Sequence, residues 1–221
     1  MPDQNQDLSN FTLIIRNLSK RYGQNRNIIS GMNAEFKPGT ATGLMGPNGS
    51  GKTTFMRLIS AAAYPTEGEI HYGTIDIHKS VHAYLKFVGI VGDTSDLPQF
   101  LTAEELIEGI LRSRKKWSDD GSKKLSKILD DVELDDRRNS LIGTYSSGMM
   151  QKTMIAAALA GEPQILLLDE PFRALDEDAV SAVLALLNTF KQNGGTILIS
   201  SHQREILQGL CDEFINFPVV N

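Results

Sequence analysis

The nine residues GPNGSGKTT, at positions 46–54, follow a short apolar run and precede a helix-like segment. Glycines let backbone N–H groups turn toward a phosphate, and the following helix directs the positive end of its dipole at the same anion. Lys52 can reach the β- and γ-phosphates of a nucleotide, and the Thr53 hydroxyl can bind Mg²⁺. We therefore predict a nucleotide site that comprises Gly46, Pro47, Asn48, Gly49, Ser50, Gly51, Lys52, Thr53 and Thr54.

A second acidic signal follows a buried-strand pattern in ILLLDE, at positions 165–170. If this strand emerges beside the glycine loop, Asp169 lies in the Mg²⁺ shell and Glu170 lies one residue further out. There Glu170 could polarise a water in line with the γ-phosphate. The alternative is a strand that ends in an acidic turn without chemical function.

Short apolar segments alternate with helical segments along the chain, which predicts an α/β fold with a mainly parallel sheet and an antiparallel β part near the N-terminus. We expect two short strands around Gly31 and a final buried strand at 196–202. The helical segments are predicted at 54–65, 101–117, 122–134, 148–161 and 176–195, and Thr102 and Glu105 form a predicted capping box. The organisation expected is a single domain of 221 residues, with a core and β part at 11–99 and 161–217 and an inserted α-helical lobe at about 100–160.

Composition narrows the possible partners and the compartment. The net charge of −5 disfavours nucleic acid as a partner. The single cysteine, Cys211, fits a reducing compartment, and no apolar run approaches the ~20 residues that span a bilayer. If the protein works at a membrane, we expect another chain to provide the membrane part.

The segment TYSSGMMQK, at 144–152, places Ser146, Ser147 and Gly148 at the start of a predicted helix. Free N–H groups and serine hydroxyls at a helix N-terminus can bind an anion, although an ordinary N-cap explains the same residues. Because the turn lies on the separate lobe, we expect it to face the glycine loop of a second copy in a symmetric dimer.

Together these motifs resemble the ATP-binding cassette family, the nucleotide-binding subunits of ABC transporters, over residues 11–217. GPNGSGKTT resembles the Walker A loop of a P-loop NTPase core, ILLLDE the Walker B strand and YSSGM the signature sequence. The resemblance implies catalytic roles for Glu170 and His202, Mg²⁺ binding by Thr53 and Asp169, adenine stacking on Tyr22 and a place for Asp176 at the dimer seam. Tyr22 could instead be an ordinary strand-end aromatic, and His202 could cap a sheet edge.

The same resemblance implies ATP and Mg²⁺ as cofactors and two kinds of protein partner. One is a second copy or a homologous cassette, and the other is a separate transmembrane permease subunit. Such a chain would lie in the cytoplasm, on the cytoplasmic face of the cell membrane.

Two departures from the family pattern bear on mechanism. Asp93 falls where family members usually carry a glutamine that touches Mg²⁺ and the attacking water, and a carboxylate cannot donate a hydrogen bond as an amide does. Ser147 and Met149 replace the usual glycine and glutamine of the signature, as in exporters of the ABC-2 kind. The main expectation is an exporter motor. The alternatives are a soluble ABC ATPase acting in translation or DNA repair and a weakly hydrolysing ATP-gated clamp.

Overall fold

A computed structural model describes residues 11–23 and 27–219, which form two β-sheets and the helices that pack on them. The strands are β1 (Leu13–Lys20), β2 (Ile29–Phe36), β3 (Ala41–Met45), β4 (Glu67–Tyr72), β5 (Ile75–Asp76), β6 (Val88–Val91), β7 (Ile165–Asp169), β8 (Thr196–Ser200) and β9 (Glu213–Asn216). The helices are α1 (Lys52–Ile59), α2 (Val81–Leu85), α3 (Ala103–Ser113), α4 (Gly121–Asp131), α5 (Ser147–Ala160), α6 (Glu177–Gln192) and α7 (Arg204–Leu207).

The larger sheet is parallel, with strand order β6-β7-β8-β3-β9. Its central strands are continuous apolar runs, and all five residues of β8 are buried, as expected for a sheet covered on both faces. Because the strands are parallel, the segments that follow β3, β6, β7 and β8 emerge at one edge of the sheet. Ligands of open parallel sheets bind at this carboxyl edge.

The smaller sheet is antiparallel, with strand order β2-β1-β4-β5. The prediction of two short strands around Gly31 is wrong, because β2 runs through this glycine as one strand. Gly31 has φ 60° and lies where the register with β1 shifts between Leu18 and Lys20. The glycine therefore accommodates a β-bulge, and pairing with β1 holds the strand together on both sides of it.

The three helices α3, α4 and α5 lie between β6 and β7 in the chain. The predicted capping box at the start of α3 is present, since Thr102 Oγ1 accepts from Glu105 N and Glu105 Oε2 accepts from Thr102 N. Helix α5 packs directly on β6, where a Cβ at Gly89 would lie 2.3 Å from Ala158 O. A larger residue at position 89 would push the helix off the sheet.

Two elements were not predicted. The predicted buried strand at 196–202 is present as β8, but it is not the last strand, because β9 follows it and pairs with β3 at the edge of the parallel sheet. The five-residue helix α2 precedes β6 and buries Tyr84, whose hydroxyl donates to Ile59 O over 2.7 Å. The predicted α/β fold with an antiparallel β part is otherwise confirmed. None of the helices in the described residues has the length and apolar character needed to cross a bilayer.

Candidate functional site

The glycine loop connects β3 to α1 and takes a conformation that needs glycine. Gly46 has φ 143° and Gly51 has φ 110°, in the left-handed region where a side chain is strained. A Cβ at Gly46 would also lie 2.4 Å from Phe217 O. The loop is therefore held close to the chain that follows β9.

Lys52, the first residue of α1, is 7% exposed and lies under the loop. Its Nζ donates to Gly46 O at 2.6 Å and to Pro47 O at 3.1 Å. A buried ammonium needs such partners to offset its desolvation. The lysine thus stabilises the folded loop, and its charge lies at the place where the backbone can surround an anion.

Asp169 ends β7 and is joined to two neighbouring elements. Its Oδ1 accepts from the Ser200 hydroxyl at 2.5 Å, and its Oδ2 accepts from Thr53 Oγ1 at 3.2 Å. Ser200, the last residue of β8, is fully buried, so this contact fixes the carboxylate against the sheet. Ser200 has no sequence signal of its own, because its role depends on the pairing of β7 with β8.

Glu170 follows Asp169 in a left-handed conformation, with φ 51°. Its backbone N–H points to Ser200, with distances of 3.2 Å to the carbonyl oxygen and 3.1 Å to the hydroxyl. Its Oε1 lies 3.1 Å from His202 Nε2, although this oxygen accepts no well-aligned hydrogen bond from the described residues. A strained, non-glycine turn that carries a carboxylate is typical of a functional position.

One cleft of about 1170 Å³ brings most of these groups together. It is lined by part of the glycine loop and by charged side chains from four segments at the carboxyl edge of the sheet. The charged residues are Lys52, Arg57, Asp93, Asp96, Asp169, Glu170, Arg173 and His202. Such a cleft, with a buried lysine under a backbone cradle and two carboxylates beside it, suits a phosphorylated ligand with a bound metal ion.

Helix α5 brings Ser147, the middle residue of the Ser-Ser-Gly turn, to the same cleft. Ser146 is the N-cap of α5, and its hydroxyl accepts from Met149 N at 3.2 Å. Ser147 is exposed and lines the cleft. Gly148 lies against Ala174 O, which would be 2.8 Å from a Cβ at position 148.

Comparison with known proteins identifies the family. Residues 29–173 match the family described as ABC transporter. This chain belongs to the ABC transporter ATP-binding family.

Relatives of this ABC cassette have different transport roles. It is 36% identical to an uncharacterised ABC transporter ATP-binding protein, YybJ of Bacillus subtilis, over 90% of this chain and 88% of the relative. It is 32% identical to the bacitracin transport ATP-binding protein BcrA of Enterococcus faecalis, with 91% of this chain covered but only 65% of the relative. It is 31% identical to the L-cystine import ATP-binding protein TcyC of Bacillus subtilis, over 92% of this chain and 85% of the relative.

Solved structures support the same assignment. The ATP-binding subunit of an ABC transporter superposes with a TM-score of 0.87 and 28% identity, covering 93% of this chain and 85% of that one. A dimeric structure of MJ0796, a bacterial ABC transporter cassette, gives a TM-score of 0.79 and 25% identity over 93% and 94% of the two chains. ATP-binding domains of ABC transporters are ATPases, and this chain is one of them.

Three residues with expected roles in the cassette lie outside the glycine loop and the two acidic residues after β7. Tyr22 is 44% exposed, and Lys20 Nζ lies 4.8 Å from the centre of its ring. Tyr22 does not line the cleft formed by the described residues, and residues 24–26, which follow it closely, lie outside the described part of the chain. Asp176 is the N-cap of α6 and accepts from Ala179 N at 2.8 Å. Asp93 does line the cleft, and its Oδ1 accepts from Ser95 N at 2.9 Å.

The cassette also has a cleft residue that the sequence analysis missed. Gln151 lies one turn after Ser147 on α5, is 4% exposed and lines the cleft. Its Nε2 has no hydrogen-bond partner among the described residues. A glutamine in the middle of a helix carries no sequence signal for this, since burial of its amide depends on how α5 packs against β6.

A cluster of Glu69, His71 and Asp76 lies elsewhere, on the antiparallel sheet, with ligand atoms within 4.8 Å of one another. Lys79 Nζ already lies 2.7 Å from Asp76, and Arg16 lies 3.8 Å from Glu69. These cations neutralise the carboxylates, so the cluster is a surface ion-pair network.

Proposed function

We propose that this cassette is the ATP-hydrolysing motor subunit of an ABC exporter, and that ATP is held between two copies of it. The observation that carries the proposal is the contact between Thr53 and Asp169. It joins the glycine loop after β3 to the acidic end of β7 in one cleft, as a nucleotide with a metal ion requires.

The donor set fits Mg²⁺, which prefers hard oxygen ligands. The Thr53 hydroxyl and the Asp169 carboxylate, 3.2 Å apart, would hold it, and the ion would supply charge neutralisation at the phosphates. Residues 46–54 would hold the phosphates through backbone N–H groups. Lys52 would exchange its carbonyl partners for phosphate oxygens, and exposed Tyr22 would stack on the adenine.

Glu170 would act as general base during hydrolysis. It accepts a proton from the attacking water while the water oxygen bonds to the γ-phosphorus and the bond to the ADP oxygen breaks. The His202 imidazole, 3.1 Å from Glu170 Oε1, would orient this carboxylate and contact the γ-phosphate. The strained backbone at Glu170 holds the side chain at the cleft.

The second copy would contribute Ser146, Ser147 and Gly148, and Asp176 would lie at the seam between the copies. Support comes from the exposure of Ser147 at the first position of α5 and from the dimeric form of the similar MJ0796 cassette. The single domain would consist of a core at 11–99 and 161–217 and a helical lobe at about 100–160. A separate transmembrane permease would contact this lobe, and the complex would work at the cytoplasmic face of the membrane.

Export is the proposed direction because Ser147 and Met149 give the signature its exporter-like form. Identities of 31–32% to both a bacitracin transport protein and an L-cystine import protein do not separate the two directions. The direction of transport is tested by co-purifying the cassette with its permease and reconstituting the complex into inside-out vesicles. ATP-driven accumulation of the transported compound inside the vesicles supports export, and ATP-driven loss contradicts it.

A weakly hydrolysing clamp is the second candidate, and Asp93 favours it. Its carboxylate lines the cleft where an amide donor would assist the attacking water. Phosphate release by wild type and Asp93→Gln separates the two. A rate that rises at least tenfold in the variant supports the clamp, and an unchanged rate removes Asp93 from the mechanism.

The two-copy proposal is tested with Glu170→Gln, which is expected to bind ATP without turnover. Light scattering in saturating Mg-ATP should give twice the monomer mass, and Ser147→Glu in the same background should prevent the doubling by placing a like charge near the phosphates. If the Glu170→Gln protein binds one ATP per chain and stays monomeric, also with its permease, the proposal is wrong.

A further inference from the structure

Asp93 and Arg173 are oppositely charged side chains of the cleft, and Arg173 has no part in the function proposed above. Asp93 lies two residues after β6, and Arg173 lies in the turn after β7. The two strands are parallel neighbours, with Val91 opposite Leu168. The segments that follow them therefore emerge side by side at the same edge of the sheet, and both residues line the cleft.

The local structure keeps Asp93 ionised. Its Oδ1 accepts from Ser95 N at 2.9 Å and caps the short turn Thr94–Asp96. Hydrogen bonds from the Ser95 backbone and then from its side chain lower the pKa of Asp93, desolvation opposes them, and the positive charge of Arg173 lowers the pKa by a smaller amount. Asp93 is thus an exposed carboxylate that carries full charge.

Arg173 is available to act on that charge. Its guanidinium is exposed and makes no side-chain hydrogen bond or close ion pair with any described residue. Lys52, by contrast, is buried and held on two carbonyl oxygens. Arg173 is therefore an exposed cation that lines the cleft, with five donors suited to carboxylate or phosphate oxygens.

The negative charges that line the cleft indicate a role for Arg173. Four carboxylates line the cleft, those of Asp93, Asp96, Asp169 and Glu170. A triphosphate that enters meets repulsion from each of them, and a metal ion held at Asp169 does not reach all the others. Three cations also line the cleft, Lys52, Arg57 and Arg173, and the one whose charge acts on Asp93 is Arg173. Arg173 is therefore the counter-charge of the carboxylate at position 93 when an anion binds.

We propose that Arg173 and Asp93 form a charge pair at the mouth of the cleft, in which the guanidinium compensates the carboxylate and so permits tight binding of a nucleoside triphosphate. Arg173 is a positioning residue for the anion rather than a catalytic one. This inference rests on the proposed function, since it assumes that the cleft binds ATP.

The test is a double-mutant cycle on the full chain, with affinity for the magnesium complex of a non-hydrolysable ATP analogue as the readout. Arg173→Gln should weaken binding about three- to tenfold, because it leaves Asp93 uncompensated. In the Asp93→Asn background the same change should have less than a twofold effect. Arg173→Lys keeps the charge and should retain most of the affinity.

The matched control is Asp96→Asn, which removes another cleft carboxylate from the same turn. In that background Arg173→Gln should still weaken binding by its full factor. The coupling between positions 93 and 173 should also decrease as salt rises from about 50 to about 500 mM, because an exposed pair is screened.

The outcomes separate this inference from the proposed function. If wild type binds the analogue and Lys52→Ala does not, but Arg173→Gln has the same effect in the wild-type and the Asp93→Asn backgrounds, the charge pair is wrong and the ATP site stands. Equal coupling between Arg173 and Asp96 would also contradict the charge pair, because the effect would then reflect the total charge of the cleft. If wild type binds no nucleotide, both proposals fail together.

Discussion

The carbonyl oxygen of Ala174 lies so close to Gly148 that a Cβ added there would be 2.8 Å away. Ala174 follows the Glu170 turn with φ 62°, and Gly148 is the second residue of α5. The turn that carries Glu170 and the helix that carries Ser147 are therefore in direct backbone contact within one chain. Glycine at position 148 permits this close approach.

Gly148→Ala should destabilise the protein by about 1–3 kcal/mol, because the new methyl group overpacks this contact. Urea unfolding measures the effect. Gly109→Ala in α3 is the matched control, since a Cβ at Gly109 meets no atom within 4 Å and alanine favours the helix. The control should stabilise by up to about 1 kcal/mol. Equal stability of Gly148→Ala and wild type contradicts the close contact.

Ser200→Ala should lower stability by about 1–2 kcal/mol and raise the Mg²⁺ concentration needed for half-maximal ATP hydrolysis. The fully buried hydroxyl holds Asp169 Oδ1 and also accepts from Glu170 N, so its loss frees both acidic residues. Ser201→Ala removes a neighbouring buried hydroxyl that accepts from Gln203 N and contacts neither acidic residue among the described residues. An identical Mg²⁺ dependence in the two variants would remove Ser200 from the site.

Much of the fold could be predicted because its signals are local. The capping box of α3 and the apolar runs of β7 and β8 are each readable within a few residues. Strand β9 was missed because none of its residues is fully buried and its pairing with β3 spans 171 positions, as between Thr42 and Glu213. Gly31 suggested a break, whereas the register with β1 makes it a bulge.

The residues of the candidate site also differ in whether they have a local sequence signal. Motif positions such as Lys52, Asp169 and Glu170 have sequence signals because their chemistry needs fixed residue types at fixed spacing. Ser200, Gln151 and Arg173 have none. Ser200 contacts Asp169, and Gln151 and Arg173 line the cleft, only through the pairing of β6, β7 and β8 and the packing of α5.

Gln151→Met should leave stability unchanged or raise it by up to about 1 kcal/mol. The buried Nε2 has no partner among the described residues, and a thioether of similar shape removes that unpaired donor. Urea unfolding measures the free energy of unfolding of Gln151→Met, and Thr153→Val is the variant with which it is compared. Thr153 is also fully buried on α5, but its hydroxyl donates to Met149 O at 2.8 Å. A loss above about 1 kcal/mol in Gln151→Met shows that the amide is paired.

Glu162→Gln should reduce stability at neutral pH by at most about 1 kcal/mol. Hydrogen bonds from Lys116, 2.7 Å away, and then from Lys124 lower the pKa of Glu162, with burial acting weakly in the other direction. Because the folded pKa lies below the unfolded one, the contribution is present above the unfolded pKa of about 4.3. It is lost as the pH falls through the folded pKa.

Unfolding of wild type and Glu162→Gln between about pH 7 and about pH 3 measures this difference. The two stabilities should converge at the acidic end of the range. Glu67→Gln, at an exposed carboxylate that forms no ion pair with the described residues, should show no such convergence. If the difference in free energy of unfolding between wild type and Glu162→Gln stays constant with pH, the ion-pair explanation is wrong.

The most direct test of the central claim measures ATP affinity and phosphate release on Glu170→Gln beside wild type, with Mg²⁺ present. An amide of the same shape cannot accept the proton of the attacking water, so phosphate release should fall by about 10²- to 10⁴-fold. Affinity for ATP should stay within a fewfold, while Lys52→Ala should lose it. Phosphate release at the wild-type rate by Glu170→Gln would contradict the hydrolysis site assigned to this cleft.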